Sequence, residues 1–224
     1  MNCFRYKVEH DWGFAPNPFH GTLTLATCKA DIRGCKDLHL GDWVVGFGSK
    51  AMQNLGKLVY AMRVDEILTF DQYYDDPRYQ CKKPNKLGSL VQMYGDNVYH
   101  TDKSKNPVRE FIQDECAHSH EDGSFYLEHY NRDTKSNKVL LSQTFYYFGD
   151  HCIDVPEEFA YIRLSETDMR GNMTYLDLRG DDAKIQAFVD WLAANYEPGI
   201  HGDPCNWKEF KRDNYEVYED EEDK

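Results

Sequence analysis

Gly41-Asp42-Trp43-Val44-Val45-Gly46-Phe47-Gly48-Ser49 opens on a Gly-Asp turn and continues as a short run of aromatic and β-branched residues bounded by glycines. A run of this length and composition is a buried strand rather than a helix. Lys57 to Leu68 follows as a second strand, long enough to bend or carry a bulge. Asn137 to Phe148 is another long strand, with Val139-Leu140-Leu141 and Phe145-Tyr146-Tyr147-Phe148 as its apolar body. Phe4 to Val8 alternates like a first strand, and Ala160–Leu164 and Met173–Leu178 are weaker strand patterns. Thr22 to Cys28 fits a strand or the start of a short helix running through Ala30, Asp31 and Ile32.

The helices are fewer. Thr69 is a good N-cap for a short helix, Phe70 to Tyr74, stopped before Pro77. In Asp182 to Tyr196, Ile185, Phe188, Val189 and Leu192 recur at helical spacing, Asp181 or Asp182 can cap, and Pro198-Gly199 ends the run. His10 to Gly21 holds two Gly and two Pro and reads as an ordered loop, with Trp12, Phe14 and Phe19 packing it down. Strands through the middle and one long helix late, without βαβ alternation, give an α+β domain. Residues 1–212 form that single domain, and residues 213–224 an acidic, disordered tail.

Composition bounds the function. The 224 residues are 41% apolar and 14% aromatic, too rich in both for a disordered chain. No stretch is long and apolar enough to span a membrane, and the start resembles no secretory signal, so a cytoplasmic protein is expected. Seven cysteines without framework spacing fit reduced thiols. A net charge of −13 argues against a general nucleic-acid coat. The last nine residues hold six acids and one base, so they supply −5 of it and the rest of the chain −8. Arg78 to Arg109 runs the other way, with seven Lys or Arg against Asp96 and Asp102, a local +5 suited to a small anion, one nucleotide stretch or a solvated loop.

None of the phosphate-loop, nucleophile-elbow or zinc-protease signatures is present. Gly46-Phe47-Gly48 offers two glycines of a dinucleotide fingerprint but no helix follows, so close backbone approach to a neighbour or ligand is the expected role. Cys116-Ala117-His118-Ser119-His120 would place a thiol and two imidazoles on one face if extended, a zinc-like donor set. It lacks a C-x-x-C partner and sits beside an exposed turn, so no metal and no cofactor is expected. His10-Asp11, and Asp96 with His100, put a titratable ring near a carboxylate, as an acid–base catalyst or a loop fastened by side-chain bonds would. Arg33 and Arg132, the latter in Arg132-Asp133-Thr134, could each grip a phosphate or close an internal ion pair.

These pieces resemble a known family. His10-Asp11-x-Gly13-Phe14-Ala15-Pro16-Asn17-Pro18, Thr24-Leu25-Ala26-Thr27-Cys28-Lys29 through Arg33, and Gly41 to Gly46 look like the nucleotide modification associated domain 2 family. The likeness continues through Tyr60-Ala61-Met62-Arg63-Val64, Asp76-Pro77-Arg78-Tyr79, Gly95-Asp96-Asn97-Val98-Tyr99, Arg132-Asp133-Thr134 and Phe145 to Gly149, covering roughly residues 4 to 160. It implies association with nucleobase modification, in phage and bacteria especially, and no established reaction. The strand pattern is also similar to EVE and ASCH domains, which implies a PUA-like mixed β-barrel, here with a C-terminal amphipathic helix. That likeness would make Trp43 to Ser49 the wall of a base-binding cleft, with Trp12, Tyr73 and Tyr74 as stacking faces and Ser49 or Asn97 reading the base edge. The block from Gln92 to Tyr130 is longer than a plain barrel needs and could build the site.

Three functions follow as expectations. The first is a module that binds a nucleotide or modified base, free or within single-stranded nucleic acid, through Trp12, Asn17, Arg33, Ser49, Tyr73, Arg78, Asn97, Tyr99 and Arg132. The second is a small enzyme in which His10, Asp11, Asp96 and His100 do acid–base work beside those arginines. The third is an acidic interaction or counter-defence protein that mimics nucleic acid.

Overall fold

The computed structural model describes residues 1–102, 104, 111–120, 122–164, 176–177 and 181–210. In chain order the elements are β1 (Cys3–Lys7), β2 (Leu23–Leu25), α1 (Ala30–Arg33), β3 (Trp43–Phe47), β4 (Leu58–Arg63), β5 (Glu66–Thr69) and α2 (Phe70–Asp75). They continue as α3 (Leu90–Met93), β6 (Tyr99–Thr101), β7 (Phe111–Gln113), α4 (Leu127–Asp133), β8 (Lys138–Ser142), β9 (Phe145–Tyr147), β10 (Leu176–Asp177), α5 (Asp182–Asn195) and β11 (Gly199–Ile200).

Strand β3 lies inside a six-stranded mixed sheet ordered β10-β1-β3-β4-β9-β11, parallel to β1 and antiparallel to β4. A second, antiparallel sheet is ordered β2-β8-β5, and β6 pairs with β7 as a small ribbon. Neither of the two long expected strands is continuous. Lys57–Leu68 breaks after Arg63 into β4 in the large sheet and β5 in the small one. Asn137–Phe148 breaks likewise into β8 and β9. Both breaks share one fastening, because Asp65 Oδ2 accepts the backbone N–H groups of Gln143 and Thr144 at 2.7 and 3.0 Å. Among the described residues no barrel closes. The PUA-like barrel gives way to two open sheets linked by two sheet-switching segments, and the likeness to EVE and ASCH domains is not confirmed.

Alternation along β1 and β3 sorts the core. Phe4, Tyr6, Val8 and Val44 meet Leu23, Leu25 and Leu140 between the two sheets. Trp43, Val45 and Tyr146 face the other way, onto Ile185, Phe188 and Leu192 of α5. The outer face of the small sheet, Val139 and Leu141, is covered by Phe70 and Tyr73 of α2 and by Tyr99 of the ribbon. Helix α5 spans the residues its spacing indicated, although Asp181 makes no side-chain capping bond. It is not the last element, since β11 and a 3₁₀ turn at Cys205–Glu209 follow it. Thr69 caps α2 with a full capping box through Gln72.

Ala160–Leu164, expected as a strand, lies largely within a 3₁₀ turn over Glu157–Ile162. Its cause is Arg5, whose buried guanidinium takes the carbonyls of Tyr161, Ile162 and Arg163 at 2.6, 3.2 and 3.0 Å. A strand alternates its carbonyls and could not turn three in a row onto one cation. Of Met173–Leu178, only Leu176 and Asp177 are described, paired with β1. The acidic tail lies outside the described residues.

Gly46 is required by its neighbours. It pairs with Tyr6 on one side and Tyr60 on the other. A Cβ here would overlap the Tyr60 ring and Val8, so the absence of a side chain lets that ring lie across β3.

Candidate functional site

Where β2 ends, the chain turns into α1 through Cys28 and Lys29, with φ of +54° and +39°. Residues with a Cβ rarely adopt this left-handed backbone, and it persists only where the surroundings impose it. The surroundings here are explicit. The Cys28 N–H donates to Asp133 Oδ1 at 2.8 Å, and its carbonyl accepts from Arg33 Nε at 2.8 Å. The rest of the Arg33 fork donates to the carbonyls of Asp133, Ser136 and Lys138 at 2.7, 2.7 and 2.6 Å. Arg33 is fully buried, so this one side chain fastens the Cys28 turn to the end of α4 and the start of β8.

Three functional groups then fall in line. Cys28 Sγ is 3.9 Å from His118 Nε2, and His118 Nδ1 is 3.0 Å from Asp133 Oδ2. The His118 and Asp133 side chains are 2% and 0% exposed, so solvent does not screen their interaction. Tyr99 Oη reaches the same Asp133 oxygen at 3.1 Å, and Arg132 Nη2 lies 3.9 Å from Cys28 Sγ. Burial and the Asp133 charge push the Cys28 thiol up, but the His118 imidazolium and Arg132 guanidinium outweigh them and leave it below the ordinary thiol value. Burial works against charged His118, yet Asp133 and Cys28 raise it to about 9. Burial likewise opposes charged Asp133, which His118, Arg33 and Arg132 hold at about 2. The group sets a sulfur whose thiolate form is favoured beside an imidazolium backed by a carboxylate, the arrangement of an activated sulfur nucleophile.

The same three residues offer ligand atoms within 4.8 Å of one another, and thiolate, imidazole and carboxylate suit zinc. The imidazole, however, stands between the other two, with Nε2 toward sulfur and Nδ1 toward carboxylate. In this arrangement their lone pairs do not meet at one point, and the order is that of a nucleophile, a base and its orienter.

Cys28 opens into a cleft of about 160 Å³ lined by Tyr6, His10, Lys29, His129, Arg132 and Lys135, among others. The His129 ring stands 4.4 Å from that of His118, and Phe14 meets His118 edge-on at 4.8 Å. Lys29 Nζ sits over the Tyr6 ring at 4.7 Å.

Of the residues singled out from sequence, His10 and Arg132 line this cleft and Tyr99 supports Asp133 from behind. Arg33 fastens the turn that carries Cys28, and the remaining ones are placed elsewhere. Asp11 turns away from His10 into the core, where it accepts the Tyr147 hydroxyl at 2.7 Å. Asp96 accepts from Thr24 Oγ1 at 2.6 Å and Tyr73 Oη at 2.8 Å, beside buried Lys82, whose burial brings it down to about 8 although Asp96 opposes this. Asn17 receives Lys82 Nζ at 2.7 Å, and Asn97 donates to the carbonyls of Tyr73 and Tyr79, so both are buried fasteners. His100 belongs to another surface groove, stacked on Tyr74 and 3.4 Å from Asp114.

The stacking faces do not share a cavity either. Trp12 stacks on Tyr94, Tyr73 is buried, and Tyr74 carries Lys83 over its ring. Ser49 is buried against the Glu9 carbonyl. Arg78 is held by Glu66 and Asp76, and Lys86 by Glu115, so these two cations of the basic stretch are engaged in local ion pairs. Lys103, Lys105 and Arg109 lie outside the described residues.

Cys28, His118 and Asp133 lie in three separate motifs of the sequence. Alternation groups His118 with Cys116 and His120. In the structure the segment turns: Cys116 is buried under the His118 N–H at 3.3 Å, and exposed His120 lies tilted against the Tyr126 ring. The long block from Gln92 to Tyr130 does supply His118 and His129 to the cleft.

Among the described residues no helix is long and apolar enough to cross a membrane. Comparison with curated proteins and with solved structures finds no match to the chain. A family model described as nucleotide modification associated domain 2 matches residues 1–211. The chain therefore belongs to the nucleotide modification associated domain 2 family, which ties it to a nucleotide-modification pathway.

Proposed function

We propose that the protein is a thiol-dependent enzyme of nucleotide modification, in which a nucleotide or modified base enters the Cys28 cleft and reacts covalently with the Cys28 thiolate. The observation that carries this reading is the line Cys28 Sγ, His118, Asp133, at 3.9 and 3.0 Å, set on a strained and fully fastened turn. His118 serves as general acid and base, and Asp133 fixes its tautomer and favours its charged form. Lys29, Arg132 and Lys135 bring positive charge to the cleft walls, which suits a phosphate on the substrate. The cleft volume of about 160 Å³ suits one base-sized ring rather than a duplex.

The test is covalent trapping. The protein is incubated with nucleotides, modified nucleosides and short single strands, quenched in acid, and analysed by intact mass. A substrate should leave an adduct that maps to Cys28 and is absent from Cys28→Ser, and its conversion should stop in that variant. Conversion by Cys28→Ser at the wild-type rate would overturn the assignment.

A further inference from the structure

Resting on the reading of Cys28 as nucleophile, we infer that Tyr6 is the hydrogen-bond donor that receives the oxyanion formed when Cys28 adds to a carbonyl carbon, so that the reacting group is an acyl carbon, an amide or an ester carried by the nucleotide or modified base.

Three observations carry it. Tyr6 lines the same cleft as Cys28 although it is only 1% exposed overall. Its hydroxyl oxygen accepts the Tyr60 hydroxyl at 2.8 Å. Among the described residues this is the one hydrogen bond of the Tyr6 side chain, and with Tyr60 as the donor in it the Tyr6 hydroxyl can turn its own proton to a ligand in the cleft. Finally, the arrangement is built into the sheet. Tyr6, Gly46 and Tyr60 stand side by side on β1, β3 and β4, and only the missing side chain of Gly46 lets the Tyr60 ring lie across to reach Tyr6.

The chemistry of the pair points to an oxygen that gains charge during reaction. Burial holds the Tyr6 hydroxyl well above its ordinary pKa, with Tyr60, Cys28 and Asp11 adding to the effect, so it stays a neutral donor beside the thiolate. A donor that itself accepts a hydrogen bond is polarised and donates more strongly. Such a fixed neutral donor favours the transition state over the ground state, where the carbonyl oxygen carries little charge.

In the addition step, the Sγ electron pair forms the C–S bond as the carbonyl π pair moves onto oxygen, toward the Tyr6 O–H. Collapse of the oxyanion breaks the bond to the leaving nitrogen or oxygen, which takes the proton from His118 Nε2. The neutral imidazole then removes a proton from the water or amine that attacks the thioester, and Cys28 leaves as thiolate.

Two probes separate this role from thiolate formation. Iodoacetamide alkylates sulfur without generating an oxyanion, whereas p-nitrophenyl acetate acylates it through one. Tyr6→Phe should slow acylation of Cys28 by about 100-fold, the loss typical of one oxyanion donor. It should leave alkylation within about twofold, which also reports that the site remains folded. Tyr60→Phe should slow acylation less, because Tyr6 keeps its own proton. Acylation unchanged in Tyr6→Phe would overturn the inference, as would both rates falling together. If wild-type Cys28 reacts with neither probe faster than Cys28 in unfolded protein, the nucleophile reading itself fails and the inference with it.

Discussion

Arg33→Ala is expected to lose about 3–5 kcal/mol of folding stability, the range found when one partner of a buried charged network is removed. Four carbonyls, of Cys28, Asp133, Ser136 and Lys138, would lose their donor in a site where water does not replace it. For a chain of this size that corresponds to a melting temperature lower by roughly 6–20 °C. Arg33→Lys should recover little, since an ammonium cannot reproduce the planar fork that reaches four oxygens at once. Thermal and urea melts check the result. A loss under about 1 kcal/mol would mean that the Cys28 turn is not fastened as described.

His118→Ala should have a large effect on chemistry while leaving the nucleophile in place. Without the imidazolium, only Arg132 still opposes burial and the Asp133 charge, so the thiol should titrate higher than in the wild type. Alkylation at pH 7 should fall at least about tenfold, and any turnover by about 10²–10⁴, the usual contribution of a positioned acid–base group. Asp133→Asn tests the same line from behind. His118 is raised from 6.5 to about 9, so its contribution to stability is fully present below pH 6.5 and is lost as pH rises through about 9. Asp133 is depressed from 3.8 to about 2, so its share is present above pH 3.8 and is lost as pH falls through about 2. Asp133→Asn should therefore flatten the stability profile at both ends, measured as melting temperature against pH. A profile unchanged from wild type would contradict the pairing.

Much of the fold is written in local pattern. Trp43 to Phe47, Phe70 to Asp75 and Asp182 to Asn195 declare themselves by period and punctuation, because their neighbours in sequence set their faces. The sheet switches after Arg63 and after Ser142 are not written that way. Both halves of each segment are apolar and extended, and what divides them is Asp65 reaching 78 residues along the chain to Gln143. The Arg5 clamp that curls Ala160 to Ile162 is a contact of the same long range.

The site was harder for the same reason. Cys28 and Asp133 are 105 residues apart, and each appears in sequence as one polar residue in a loop motif. The pairs legible in sequence, His10-Asp11 and Asp96 near His100, are those whose members adjoin along the chain. Adjacent loop residues point in different directions, so Asp11 entered the core while His10 stayed at the cleft. Arg33 looked like an anion binder because its charge is legible and the four carbonyls around it are not.

The most direct measurement is the rate of iodoacetamide alkylation at Cys28 in the native protein from pH 5 to 10, read by peptide mass with exposed Cys81 in the same sample. An activated thiolate predicts that Cys28 reacts faster than Cys81 at pH 6 despite being less exposed, and that His118→Ala removes the advantage. If Cys81 is the faster of the two at pH 6 and His118→Ala changes nothing, Cys28 is an ordinary half-buried thiol and the proposed nucleophile does not exist.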